Sequence, residues 1–249
     1  MNTTRKRLGA LAAGTVAATA LGWAGYAAAA WLRYGRDATR GAHATLLDRF
    51  MPRFEVAERH ETVVDAPAAT TWIAAKELDL GQSRIVKTIF RGREILMRSE
   101  PRADGKELQP GPLLEQTLAL GWSVLAEDPG REIVVGSITK PWTADPSFQA
   151  VAPDDFATFD EPGYVKIAWT LSVEALEGER SIFRTETRVA TTDADSRRRF
   201  RRYWAVFSPG ILLIRRQSLG IVRRNAEHRF LKDRLSLEKQ VSLATLPDD

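Results

Sequence analysis

The sequence predicts an α+β domain in which an antiparallel sheet packs against a long C-terminal helix, and three observations support this. Residues Tyr164–Ala175 alternate between apolar and small or polar side chains, which is typical of a half-buried strand. A Glu-Gly-Glu turn leads into a second predicted strand from Ser181 to Thr192. Asp193–Asn225 then spaces its apolar residues by three and four, which predicts a helix that covers the sheet.

Four further strands are predicted before this pair. Phe54–Val64 alternates in its apolar positions and predicts the first strand. Trp122–Glu127 and Glu132–Thr139 flank the turn residues Asp-Pro-Gly, which predicts a hairpin. A short strand is predicted at Phe148–Val151, so the sheet is expected to be mainly antiparallel.

The predicted helices lie between these strands. Pro67 suits the first turn of a helix that continues through Trp72 to Leu78. A second helix, a polar loop, a short helix and a short helical or looped excursion are predicted at Ser83–Met97, Arg102–Pro112, Leu113–Leu120 and Ala152–Phe159. Antiparallel strands with helices on one side indicate a two-layer α+β arrangement.

The N-terminal segment Leu8–Leu32 contains no charged residue and is rich in Ala and Gly. A helix of this length spans ~37 Å, which is enough for a hydrocarbon core of ~30 Å. Basic residues flank both ends, at Arg5–Arg7 and from Arg33 onward. We expect a signal anchor with the domain outside the cytoplasm. The alternatives are a secretory peptide cleaved near Ala30, or an anchor with the domain in the cytoplasm.

The predicted organisation is therefore an anchor or signal peptide at 1–33, a linker at 34–52, a folded domain at 53–228 and a charged tail at 229–249. Residues 1–33 alone account for the net charge of +4, so no nucleic-acid partner is expected. Arg197–Arg234 holds twelve Lys and Arg against two acids. This stretch predicts a basic helix face, which is either simply solvated or meets anionic lipid or an acidic partner. The oligomeric state stays open.

No residue pattern predicts a catalytic site, a metal site or a cofactor. The absence of cysteine excludes disulfides, thiolate metal ligands and a cysteine nucleophile. His43, His60 and His228 lack metal-binding spacing, and only His60, on the first strand, could line a site. Adjacent carboxylates at 154–155 and 160–161 are expected to lie in solvated loops.

Eight residues form either ordinary core or, as the family resemblance given below implies, the lining of a ligand pocket between the sheet and the final helix. The strand residues share one parity and combine apolar walls with hydroxyls, and the helix residues form one apolar stripe. They are Trp169, Phe183, Thr185, Thr187, Phe200, Trp204, Phe207 and Ile211. Ordinary core packing is the alternative interpretation. The opposite strand parity, Arg184, Glu186 and Arg188, predicts a solvent-side ladder, and Arg215 is expected to lie away from the stripe.

Several stretches resemble the START-like, or Bet v 1-like, helix-grip superfamily, which includes polyketide cyclase/dehydrase-like (SRPBCC) proteins. The resemblance covers about residues 53–227. It depends on the segments Thr62–Trp72, Glu161–Trp169, Thr185–Val189, Arg199–Trp204 and Ser208–Arg215. It implies a helix-grip fold, a curved antiparallel sheet wrapped around a long C-terminal helix with an apolar cavity between them.

The resemblance also implies a ligand class, hydrophobic small molecules or lipids. The leading hypothesis is therefore a membrane-tethered module that binds such a molecule and moves it to or from the bilayer. One alternative is a polyketide cyclase or dehydratase-like enzyme, which would need an acid or base inside the cavity. The other is a non-catalytic interaction domain that docks a partner through its basic face.

Overall fold

The computed structural model describes residues 21–35, 45–97 and 111–244. One antiparallel sheet holds the strands in the order β1-β6-β5-β3-β2, with β4 paired to β3. The strands are β1 (Val56–Val64), β2 (Ser123–Asp128), β3 (Glu132–Thr139), β4 (Phe148–Gln149), β5 (Val165–Leu176) and β6 (Arg180–Thr191). The predicted hairpin and the long strand pair are confirmed, each to within about two residues.

Seven helices and one 3-10 turn surround the sheet in the described part of the chain. They are α1 (residues 21–33), α2 (Leu47–Phe50), α3 (Ala68–Lys76), a 3-10 turn (Leu80–Gln82), α4 (Arg84–Met97), α5 (Leu113–Ala119), α6 (Pro153–Thr158) and α7 (Ala194–Ala244). The predicted α+β class, with an antiparallel sheet and a long C-terminal helix, is confirmed. This arrangement is consistent with a helix grip.

The inner face of the sheet, which we define as the face toward α3 and α7, carries two apolar clusters. The α3 cluster joins Trp72 of α3 to Trp169, Leu171 and Phe183 of the sheet and to Val222 of α7. The α1 cluster is built from Ala30, Tyr34, Val56, Val165, Val189, Phe200 and Trp204. The two clusters lie along the length of α7, because Trp204 and Val222 are eighteen positions apart on the same helix.

The outer face of the sheet is also buried, which the two-layer prediction did not anticipate. Leu47 and Phe50 of α2 and Phe156 of α6 pack on it. A side chain at Gly136 of β3 would place its Cβ 2.9 Å from Phe156 Cε2, so this close packing requires glycine. Helix α6 therefore seals the outer face instead of forming a loose excursion.

The predicted solvent-side ladder of β6 is wrong for two of its three residues. Arg188 is 1% exposed and Glu186 is 6% exposed. Arg188 donates to Asp48 of α2 and to the carbonyl of Met51, both from Nη1. Arg188 and Glu186 are thus covered by α2 and paired within the protein. Arg184 lies nearer the solvent.

Helix α7 is 51 residues long and continues through Pro209 to Ala244, well past the predicted end at Asn225. At 1.5 Å per residue it spans ~77 Å and reaches beyond the sheet. Asp193 precedes it and accepts from the N–H groups of Asp195 and Ser196 at 2.7 and 2.9 Å. These hydrogen bonds, with that of the Ser196 hydroxyl, hold the pKa of Asp193 well below its usual range.

Helix α1, the described end of the apolar N-terminal run, packs along α7. Trp23 Nε1 donates to the carbonyl of Val206 at 3.0 Å. The Arg201 guanidinium lies 4.2 Å from the Trp31 ring centroid and donates to the Trp31 carbonyl at 2.8 Å. No helix within residues 21–35, 45–97 and 111–244 is long and apolar enough to cross a membrane. Residues 8–20 of the predicted anchor lie outside the described residues.

Candidate functional site

A polar patch interrupts the inner face between the two apolar clusters. On β1 the inward positions alternate from Val56 to Val64, so Glu58 and His60 between them face α7. The strand register pairs Glu58 with Thr187 and His60 with Thr185 on β6. Four polar side chains therefore lie next to each other on a face that is otherwise apolar.

Arg215 of α7 reaches into this patch. Its Nη1 donates to Thr185 Oγ1 at 3.1 Å, and its Nη2 donates to Thr187 Oγ1. The guanidinium carbon lies 5.9 Å from the Trp169 ring centroid. The side chain was predicted to lie away from the apolar stripe, and this prediction is wrong. We call Glu58, His60, Thr185, Thr187 and Arg215 the Arg215 cluster.

Arg215 is half-buried between α7 and the sheet, and this position affects its electrostatics. Burial lowers the pKa of Arg215 to about 10, and the charge of Glu58 only partly opposes this. The side chain stays protonated at neutral pH. Within the described residues, Arg215 forms no salt bridge, and its hydrogen-bond partners are the two threonine hydroxyls. A guanidinium has five N–H donors, so the threonines leave most of its capacity unused.

His60 is held neutral next to this cation. Burial lowers the pKa of His60, and the charges of Arg215 and Arg216 lower it further. Its Nε2 is buried and has no hydrogen-bond partner in the described chain. The Glu58 Oε2 atom lies 3.8 Å away from that nitrogen, which is too far for a hydrogen bond. The imidazole therefore keeps one ring nitrogen for another group.

Ser208 adds a second buried polar atom without a partner. Its Oγ forms no hydrogen bond within the described residues, and the residue is 0% exposed. Ser208 lies seven residues before Arg215, which places both on the same face of α7. Native proteins leave few buried polar atoms unpaired, so the unpartnered atoms on α7 and β1 call for an explanation.

The structure distributes the eight predicted pocket residues over three environments. Trp169, Thr185 and Thr187 surround Arg215. Phe183 lies in the α3 cluster beside Trp169. The others belong to or flank the α1 cluster: Phe200 and Trp204 are buried in it, Ile211 packs against it, and Phe207 contacts Tyr203 at 4.7 Å between ring centroids.

Sequence reasoning missed Arg215 and Glu58 and kept His60 only as a remote candidate. Two signals could have found them. Trp204, Ser208, Ile211, Arg215 and Ser218 recur at spacings of four and three, which puts Arg215 on the buried face of the helix. On β1 the parity that buries both terminal valines also directs Glu58 and His60 inward.

Two of the clefts in the described part of the protein lie near the sheet. One, of about 50 Å³, lies between α1 and β1 and is lined by Tyr26, Tyr34, Glu58 and Trp204, among others. It reaches the edge of the Arg215 cluster at Glu58. The other, of about 260 Å³, opens on the outer face among Arg59, Arg131, Glu132 and Arg184. Neither cleft is lined by any of the predicted pocket residues except Trp204. No group of His, Asp or Glu in the described residues is suited to hold a metal ion.

No family model and no curated protein matches this chain. The hypothetical protein jhp0584 from Helicobacter pylori has a similar structure at a TM-score of 0.35 and 10% identity, covering 76% of this chain and 98% of that one. Ara h 8.0201 is similar at a TM-score of 0.24 and 13% identity, covering 71% and 98%. The Zhui aromatase/cyclase from Streptomyces sp. R1128 is similar at a TM-score of 0.21 and 14% identity, covering 70% and 94%. At such values these likenesses carry no argument about what this chain binds.

Proposed function

We propose that this protein binds a hydrophobic small molecule or lipid between α7 and the inner face of the sheet. The observation that carries this proposal is the Arg215 cluster, a polar patch with unused hydrogen-bonding groups between two apolar clusters. A buried polar group without a partner costs ~1–3 kcal/mol. Apolar walls with a few convergent polar groups are typical of small-molecule sites. A ligand would supply the missing partners and cover the walls.

Ligand entry requires a movement, and α1 is the element best placed to move. The cleft of about 50 Å³ between α1 and β1 already reaches Glu58 and Trp204. Polar contacts at Trp23 and Trp31 hold the described part of α1 on α7. Displacement of α1 would extend this cleft toward Arg215 without disturbing the strand pairs of the sheet.

The membrane tether is part of the same proposal. Leu21, Trp23, Trp31 and Leu32 of α1 are exposed by 37–73%, and Arg201 lies beside Trp31. Exposed tryptophans next to arginine suit the interface between a bilayer and water. We propose that residues 8–32 tether the domain on the extracytoplasmic side, where the bilayer supplies or receives the ligand. Secretion after cleavage near Ala30 is the alternative.

Native mass spectrometry of the full-length protein, released from detergent, tests the binding proposal. We expect a population that carries an added mass of a lipid or another hydrophobic molecule from the cells. Thr187→Trp fills the space next to Arg215 and should lose that mass, whereas Ser172→Trp on the outer face should keep it. A wild-type protein that always shows the bare mass, and whose thermal unfolding does not respond to added lipids, contradicts the proposal.

An enzyme of cyclase or dehydratase type is the second candidate, and the placement of His60 favours it. A neutral imidazole with a free nitrogen can accept a proton from a substrate, and Arg215 next to it could stabilise developing negative charge. His60→Gln separates the two functions. For an enzyme, the variant would still bind the ligand but would no longer convert it; for a binding protein, the bound molecule would be recovered unchanged from wild type and variant alike.

A further inference from the structure

The charge balance around Arg215 indicates what kind of ligand the site takes. Arg215 and the nearby Arg216 are cationic, and His60 is neutral. The negative charge of Glu58 raises the pKa of Arg215, which partly opposes the effect of burial. The side chain of Glu58 is 25% exposed. The described side chains that face the cluster thus leave it with more positive than negative charge.

The unused donors of Arg215 have a defined geometry. A guanidinium presents its N–H groups in a planar fork that matches the two oxygens of a carboxylate. Both Nη atoms already donate to threonine hydroxyls, which fixes the plane of the fork against β6. The remaining N–H groups are available to an acceptor in the interior.

Fold stability alone does not explain a cation in this position. Removing a charge from water is costly unless an opposite charge or a full set of hydrogen bonds compensates. An apolar side chain at position 215 would continue the buried face that includes Ile211 and Val222. The retained arginine is explained if a bound anion completes its coordination.

We propose that the ligand is an anionic amphiphile, whose carboxylate binds to Arg215 and whose hydrocarbon chain lies against the α1 cluster. This rests on the proposed function that the space between α7 and the sheet binds a ligand. The negative charge of Glu58 next to His60 disfavours a second negative charge on the head group. A single carboxylate of the fatty-acid type therefore fits better than a doubly charged phosphomonoester.

A matched pair of probes tests the head group. Full-length protein in amphipol is titrated at neutral pH with dodecanoic acid and with dodecanol, which share one chain and differ in charge. We expect the acid to bind at least ~10-fold tighter than the alcohol. Dodecyl phosphate, measured in the same way, should bind more weakly than the acid.

Arg215→Gln should bring the Kd of the acid to that of the alcohol and leave the Kd of the alcohol unchanged. Arg215→Lys, which keeps the charge and loses the fork, should retain part of the preference. Arg224→Gln removes an exposed arginine nine positions further along α7, outside the Arg215 cluster, so it should keep the wild-type preference. Thermal unfolding of each variant reports whether it is folded.

The outcomes separate the two proposals. If the wild-type protein binds the acid and the alcohol equally, the proposal of an anionic ligand is wrong. The proposal that the protein binds a hydrophobic molecule is then unaffected. Binding of none of the three probes, with bare masses in native mass spectrometry, contradicts the proposed function itself. A folded Arg215→Gln protein that keeps the preference for the acid also overturns the assignment. If that variant does not fold, the wild-type comparison and Arg215→Lys still decide it.

Discussion

Each face of the sheet carries an arginine, buried on the outer face and half-buried on the inner face, and the two have different partners. On the outer face, Arg188 is 1% exposed and donates to Asp48 and Glu186, each at 2.7 Å. Its guanidinium carbon also lies 4.6 Å from the centroid of the Phe54 ring. On the inner face, Arg215 has two neutral hydroxyls as partners. Arg188 is thus paired with two carboxylates, whereas the partners of Arg215 among the described residues are uncharged.

This difference distinguishes a structural cation from one that is available to a ligand. Removing one partner of a buried ion pair leaves the other partner charged and desolvated, which is strongly destabilising. Removing a buried charge that has no ionic partner relieves a desolvation cost. We therefore expect the charge of Arg188 to stabilise the fold, and the charge of Arg215 to contribute little to its stability.

The largest effect is expected for Arg188→Met. The substitution removes the cation that pairs with both Glu186 and Asp48 beneath α2, so the free energy of unfolding should fall by ~3–5 kcal/mol. Arg184→Met on the same strand is the control. Its partners Glu61 and Glu174 are about half exposed, so a loss of ~1 kcal/mol or less is expected. Denaturant unfolding measures the loss of stability in both variants. Equal losses would contradict the expectation that the buried ion pairs stabilise the fold more than the exposed ones.

A smaller effect is expected from His60 and depends on pH. Because the pKa of His60 is lowered in the folded state, the unfolded chain takes up a proton first as the pH falls below about 6.5. His60 therefore lowers the stability progressively as the pH falls from about 6.5 toward its own pKa. His60→Gln should flatten the pH dependence between pH 7 and 5.

A bound carboxylate should reduce this effect of His60 on the pH dependence. A negative charge beside His60 favours the protonated imidazole and raises its pKa. The difference in pH dependence between the wild-type protein and His60→Gln should then shrink when dodecanoic acid is present. An unchanged difference at saturating acid would place the ligand away from the inner face.

The smallest effect is expected for Glu132→Gln on the outer face. Burial raises the pKa of Glu132, and the charges of Glu186 and Asp48 raise it further. An acid whose pKa is raised stabilises the fold only while protonated, and this contribution is lost as the pH rises through that pKa. Glutamine can still accept the Leu46 N–H, so a gain of ~0.5–1 kcal/mol is expected at pH 7 and none at pH 4. Denaturant unfolding at both pH values checks this, and a loss at pH 7 would contradict it.

The sequence was sufficient for the strands, because their alternation directly reflects which side chains point inward. Trp169, Thr185 and Thr187 were placed on the inner face for this reason, and the structure agrees. The end of α7 was missed because residues such as Leu231 and Leu235, 57% and 59% exposed, form no buried stripe. That segment is rich in Leu, Lys, Arg and Glu, which favour helix without packing.

The charged residues were harder to predict, because their burial depends on elements far away in the sequence. Arg188 is buried by α2, which lies about 140 positions earlier. No local alternation contains that information. Arg215 was assigned to solvent because charged side chains are usually exposed. Its position on the helical face that includes Trp204 and Ile211 was the stronger signal.

The free energy of unfolding of Arg215→Met in the ligand-free protein tests the central distinction most directly. Methionine fills a similar volume without a charge, and the two hydroxyl hydrogen bonds it removes are each worth ~1 kcal/mol, which the relieved desolvation offsets. We predict a value within ~1 kcal/mol of wild type, or above it. A fall of ~3–5 kcal/mol, as expected for Arg188→Met, would show that Arg215 holds the fold together and would contradict the account.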